Sequence, residues 1–234
     1  MTNQVLELSQ FRAFVFDAYG TLFDVNAAAE KLANDLGPVW PDLSNLWRQK
    51  QLEYSWVCSL MQSPWRSFWQ VTQDALDYAL EFHQLDSDKW RGPLLKIYLS
   101  LPAFAEVPAA LSTLRSVRES ADFAILSNGS SDMLNSAIQG SEFNQFFDAV
   151  LSADAVGVFK TSPQTYQMVI DRFLITDPSK VLFFSSNGWD IAGAGQFGFT
   201  TVWLNRGAAI RDRLPIKPDF EVPSLTDFLR GNGH

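Results

Sequence analysis

The sequence predicts an α/β protein, a doubly wound parallel sheet core that carries an inserted helical cap. Three observations predict it. Short apolar runs rich in aromatic and β-branched residues recur at 13–17, 123–127, 149–151, 181–185 and 201–204, and each suits a strand buried on both faces. From residue 105 onward these runs alternate with stretches of helical period at 107–116, 132–139, 163–173 and 191–197, which implies right-handed crossovers and a parallel sheet of five strands. After the first run the chain instead turns into a block of helices, at 27–36, 43–61, 67–83 and 87–99.

Taken in order, residues 1–11 form a lead-in and the first strand ends at Asp17, followed by a turn at Gly20. The helical block is punctuated by Gly37-Pro38, Ser63-Pro64 and Leu85-Asp86. It holds six of the eight tryptophans (Trp40, Trp47, Trp56, Trp65, Trp69 and Trp90), enough bulk for a small core or a lid packed on the main domain. The domain division is therefore 1–23 with 101–234 for the core and 24–100 for the cap. The tail from Ile216 carries a short helix at 224–229 and a Gly-rich end expected to fray.

Composition narrows the function. A chain of 234 residues buries a substantial core without staples, and its one cysteine, Cys58, excludes an internal disulfide and fits a reducing cytoplasm. No leader-like segment or membrane-length apolar run is present, so a soluble, unexported protein is expected. A formal charge of −8 argues against nucleic acid and anionic membranes as partners, and it requires that any anionic substrate be met by cations and amide dipoles concentrated locally.

Four segments lie at or just beyond strand ends: Asp17, then Ser127-Asn128-Gly129, then Lys160, then Ser185 to Asp190. The C-terminal ends of parallel strands share one edge, where ligands bind in open α/β sheets, so these segments should converge. Singly, each has an ordinary alternative: Asp17 as a turn cap, Lys160 as a surface lysine, Asp190 as the N-cap of a helix starting at Ile191, Arg48 as a helix arginine paired with Glu53.

The residues Asp17-Ala18-Tyr19-Gly20-Thr21, Ser127-Asn128-Gly129, Lys160 and Ser185 to Asp190, in that order, resemble the haloacid dehalogenase superfamily. The cap stretch Leu46 to Tyr54 and the run Ala124 to Ser130 narrow the resemblance to the type II L-2-haloacid dehalogenases, over nearly the whole chain. The resemblance implies a Rossmann-like core, a homodimer, and hydrolysis of short L-2-haloacids to D-2-hydroxy acids with inversion. It assigns Asp17 as nucleophile, Lys160 as the cation that keeps it ionised, Arg48 with Asn128 as halide acceptors, and Asp190 with Ser185 and Asn187 as the group that directs water, supported by Tyr166. Thr21, Ser127 and the backbone N–H groups of Ala18 and Tyr19 would bind the substrate carboxylate, and Tyr19, Gln49, Leu52, Phe68 and Trp189 match pocket positions.

Tyr19 carries the distinction within the superfamily. Phosphatases place a second aspartate there, two residues after the nucleophile, and paired acids in the fourth segment to hold magnesium. This chain has Tyr19, Ser185 and Asn187, with Asp190 the lone acid, so a site without metal or other cofactor is expected. The competing assignments are a magnesium-dependent phosphatase or a phosphonatase-like hydrolase with Lys50 as its cap lysine, and a catalytically silent binding protein. Three departures from the family pattern bear on substrate range: Thr161 in place of proline, one extra residue between Met61 and Phe68, and Gly188 in place of alanine.

Overall fold

A computed structural model describes residues 6–62 and 64–233, with side chains for all of these but 28 and 29. Residues 1–5 of the lead-in, Ser63 of the Ser63-Pro64 pair and His234 lie outside the described residues. The core is one parallel sheet of six strands, β1 (Ala13–Phe16), β2 (Asp122–Ser127), β3 (Ala149–Ser152), β4 (Val181–Ser185), β5 (Thr200–Leu204) and β6 (Phe220–Val222), in the order β3-β2-β1-β4-β5-β6. The expected five strands are present, and β6 is an addition. It is three residues long, lies between Pro218-Asp219 and Pro223, and gains its strand character from pairing with β5 rather than from a run of its own.

Between β1 and β2 come α1 (Ala27–Glu30), α2 (Ala33–Leu36), α3 (Trp40–Met61), α4 (Phe68–Phe82), α5 (Ser87–Tyr98) and α6 (Val107–Val117). The single helix expected at 27–36 is two short ones, and α3 begins three residues before its expected start because Pro41 sits at its N-terminus, where a missing N–H costs nothing. Ser67 and Gln70 close a reciprocal capping box on α4. The later crossovers are α7 (Ser131–Gly140), α8 (Pro163–Phe173) and α9 (Gly188–Phe197), and α10 (Leu225–Gly231) closes the chain.

Strand alternation sends Phe14, Phe16, Phe123, Ile125, Leu182 and Phe184 to one face of the sheet, and Val15, Ala124, Leu126 and Phe183 to the other. The first face is layered with rings in register: Phe16 stacks on Phe184 at 4.7 Å and Phe14 on Phe123 at 5.2 Å. The apolar cluster on that face runs without interruption into cap residues Leu43, Trp47, Phe68 and Leu76, so the helices above the sheet's edge are tied to the same core that fixes the strands. Removing the wholly buried Phe14 ring (Phe14→Ala) is expected to cost about 3–5 kcal/mol of unfolding free energy in urea denaturation, since the rings stacked beside it cannot collapse into the gap.

Candidate active site

β1 ends at Phe16, and Asp17 follows with its N–H held by the Phe184 carbonyl of β4 at 2.9 Å. The chain then folds back on itself: N–H groups of Thr21, Leu22 and Phe23 all turn to the Ala18 carbonyl, and Gly20 takes φ +85°, open to it because it lacks a Cβ. The turn brings Thr21 beneath Asp17. Asp17 is 5 % exposed and its two oxygens differ. Oδ2 accepts from Asn187 Nδ2 at 2.8 Å, Thr21 Oγ1 at 2.9 Å and Ser185 Oγ at 3.4 Å, while Oδ1, among the described residues, accepts only from Lys160 Nζ at 3.1 Å.

Lys160 is wholly buried, with Nζ 2.7 Å from Asp190 Oδ2 as well. Burial works against the ammonium, but the two carboxylates outweigh it and the net shift is upward, so Lys160 stays charged. Asp190, also wholly buried, is pushed up to about 6 by desolvation, with Lys160 pulling it back down and Asp17 adding to the rise. The Tyr166 hydroxyl donates to Asp190 Oδ1 at 2.8 Å, and burial beside that carboxylate holds its own pKa well above the ordinary value. Gly193, one turn along α9, makes room for this contact: a Cβ there would come within 2.5 Å of the Tyr166 oxygen.

The structure alters two of the ordinary alternatives. α9 starts at Gly188, so Asp190 stands inside its first turn and Asn187 occupies the N-cap position. The Asn187 side chain makes no cap bond; it donates to Asp17 and to the Tyr19 carbonyl, 3.2 Å away. Glu53, offered as a partner for Arg48, pairs with Lys50 at 2.9 Å, which also takes Lys50 away from the site.

Above Asp17 is a small cavity lined by Asp17, Tyr19, Ser127 and Asn128 from the core, Arg48, Leu52 and Phe68 from the cap, and Trp189. Its free volume of about 10 Å³ is the space of roughly one water. Asn128 spans it: its Oδ1 accepts the Lys160 backbone N–H at 2.8 Å, while its buried Nδ2 has no partner among the described residues. Ser127 Oγ accepts from the Gly129 N–H at 3.0 Å, and the Ala18 and Tyr19 N–H groups likewise find no acceptor among the described residues. Arg48 reaches in from α3, with Nη2 3.5 Å from the Tyr19 carbonyl. These are unspent donors around one carboxylate, a lining that suits an anion. Tyr19 is buried, and desolvation first, then repulsion from Tyr98, keeps its hydroxyl protonated far above neutral pH. A larger, mostly apolar cleft of about 930 Å³ lies behind Trp189 and Trp56.

Gln49 departs from its expected place. It is exposed on α3 and absent from the cavity wall, because the positions of this helix that reach the cavity are Arg48 and Leu52, one turn apart, and the buried ones beside them are Trp47, Gln51 and Ser55. The extra residue between Met61 and Phe68 leaves Phe68 on the wall: Trp65 packs on Phe159 at 4.6 Å, and Phe159 meets the Phe68 ring at 5.7 Å. The donor set does not fit magnesium. Lys160 Nζ stands between the two carboxylates where a cation would sit, and among the described residues no three acidic, His or Cys groups converge.

The haloacid dehalogenase-like hydrolase family matches residues 11–198. (S)-2-haloacid dehalogenase 1 of Pseudomonas sp. (strain CBS-3) is 45% identical over 85% of this chain and 86% of its own. (S)-2-haloacid dehalogenase 4A of Burkholderia cepacia is 43% identical over 85% of each. This chain belongs to the (S)-2-haloacid dehalogenases, within the haloacid dehalogenase-like hydrolases. A solved structure of the L-2-haloacid dehalogenase from Xanthobacter autotrophicus with chloropropionic acid covalently bound superposes with a TM-score of 0.84, at 34% identity over 94% of this chain and 97% of that one.

One residue of this dehalogenase fold carries no motif signal. Arg206, just beyond β5, donates Nη2 to the Thr21 carbonyl at 2.9 Å and Nη1 to Ser186 Oγ at 2.7 Å, and pairs with Glu106 at 2.7 Å. It therefore ties the turn after β1 to the turn after β4, the two segments that hold Asp17. Arg206→Met is expected to lower hydrolytic turnover about 10-fold or more, as one or two charge-assisted bonds between these turns are lost, with Arg206→Lys recovering part; steady-state rates of the purified variants check it.

Proposed function

We propose that this chain hydrolyses short L-2-haloacids to D-2-hydroxy acids through an ester on Asp17. The observation that carries the proposal is the asymmetry of the Asp17 carboxylate. Oδ1, bonded only to Lys160 among the described residues, is the nucleophile, and Oδ2 is fixed by three donors. Oδ1 attacks C2 from the face opposite the halogen, forming a C–O bond as the carbon–halogen bond breaks and inverting the carbon. Arg48 and Asn128 Nδ2, which has no partner among the described residues, receive the charge that builds on the departing halide, which stabilises the transition state more than the ground state. Ser127 and the Ala18 and Tyr19 N–H groups hold the substrate carboxylate.

Oδ2 is now the ester carbonyl oxygen. Thr21, Ser185 and Asn187 already donate to it, and in the second step they serve as its oxyanion hole. Water adds to the ester carbon and surrenders a proton toward Asp190, whose raised pKa suits it as a base near neutrality. Breakage of the ester C–O bond on the Asp17 side returns the carboxylate and frees the hydroxy acid, so each turnover releases one halide and one proton. No step requires a metal. The small cavity favours short acids, and the family resemblance together with exposed Val57, Leu60 and Met61 at the end of α3 supports a homodimer. Among the described residues no helix is long and apolar enough to cross a membrane; a cytoplasmic setting rests on the cysteine usage alone.

The competing phosphatase assignment lacks an acid at position 19, and the phosphonatase assignment lacks a free cap lysine, since Lys50 is engaged by Glu53. Purified protein given L-2-chloropropionate in excess EDTA should release chloride and form D-lactate. Asp190 is productive only when ionised, so the rate should rise as pH passes upward through about 6 and level off above it. Halide release that requires magnesium, or its absence with every short L-2-haloacid, would refute the proposal.

A further inference from the structure

Gln51 is 1 % exposed, lies off the cavity, and has no part in the chemistry above. Its surroundings determine which way its amide points. Thr72 Oγ1 donates its single proton to the Phe68 carbonyl, one turn back on α4, at 2.7 Å. The hydroxyl then offers Gln51 only lone pairs, so the Gln51 atom 2.6 Å from it must be Nε2. Oε1 is thereby turned toward Arg48, whose Nη1 donates to it at 2.6 Å. The Tyr98 hydroxyl, 3.1 Å from Nε2 and 3.2 Å from Oε1, completes the amide's partners, and the Tyr98 ring lies stacked on Tyr19 at 5.8 Å.

One arm of the Arg48 guanidinium is thus fixed from behind, and Nη2 is the arm left at the cavity. We propose that Gln51 is a positioning residue for Arg48, itself oriented by Thr72 and Tyr98, so that the departing halide meets a guanidinium already ordered rather than one drawn from many rotamers. This role rests on the haloacid function proposed above. A long arginine free to sample its rotamers must be ordered as charge develops; this one is ordered beforehand. The neutral amide matters too. A carboxylate at position 51 would hold the guanidinium equally well but would neutralise the charge meant for the halide.

The test compares full-length wild type, Gln51→Leu and the nearly isosteric Thr72→Val in single turnovers of L-2-chloropropionate and L-2-bromopropionate, following halide release and ester hydrolysis separately. Gln51→Leu should slow halide release by about 10-fold to 100-fold. The loss should be greater for chloride, the poorer leaving group, and ester hydrolysis should keep its wild-type rate. Thr72→Val should shift the same step in the same direction by less, and it stands as the test should Gln51→Leu fail to fold. Equal slowing of both halides and of ester hydrolysis, or wild-type rates throughout, overturns the positioning role while leaving the haloacid function intact. A wild-type protein that releases no halide overturns the function itself, and this role with it.

Discussion

The site is organised around one buried ammonium. Lys160 Nζ touches Asp17 and Asp190 at once, at 3.1 and 2.7 Å, and all three side chains are nearly or fully out of water. Three charges taken from solvent carry a large desolvation cost, tolerable only because each has a partner of opposite sign within hydrogen-bond distance. Two carboxylates and one ammonium leave a net negative charge, which Thr21, Ser185, Asn187 and Tyr166 spread by donating to the carboxylate oxygens. Remove the ammonium and the two acids face each other in a low dielectric, where one would hold a proton. Lys160 therefore sets the ionisation on which both halves of the proposed chemistry rely.

That arrangement depends on the sheet. In-register parallel strands bring Asp17 beside Ser185, and the rings stacked along Phe14, Phe16, Phe123 and Phe184 keep those strand ends from slipping. A slip of one residue would turn Asp17 away from the edge and replace it with an apolar neighbour. The turns beyond the edge need further restraint. Arg206 supplies it from β5, and Asn187 supplies it by giving up a helix cap to bond Asp17 and the Tyr19 carbonyl.

Much of this was legible in the sequence, for physical reasons. Strand ends are marked by where an apolar run stops, and the ends of parallel strands meet, so the sequence pattern alone places Asp17, Ser127, Asn128, Ser185 and Asp190 on one edge. What escaped has equally definite causes. Gln49 and Gln51 differ by two positions on α3, about 200° around the helix, and the motif resemblance favoured the exposed one. Arg206 follows a strand like many surface arginines, and two of its partners are backbone carbonyls at Gly20 and Thr21 that sequence cannot display. β6 draws its order from β5, a tertiary effect that no local pattern announces.

In the proposed reaction, Tyr19 is the one residue that redirects a shared scaffold. Where a carboxylic acid would protonate a leaving oxygen, this chain has a buried phenol that stays protonated, beside a cap arginine and an amide nitrogen, Asn128 Nδ2, with no partner among the described residues. Those groups suit a leaving group that departs as an anion and needs no proton. The decisive measurement is a single turnover of L-2-chloropropionate in oxygen-18 water with enzyme in excess. If Asp17 forms the ester and water attacks its carbonyl, the label enters the Asp17 carboxylate and the lactate is unlabelled. Label in the lactate, with none in the peptide that carries Asp17, would mean that water attacks the substrate directly and would contradict the account.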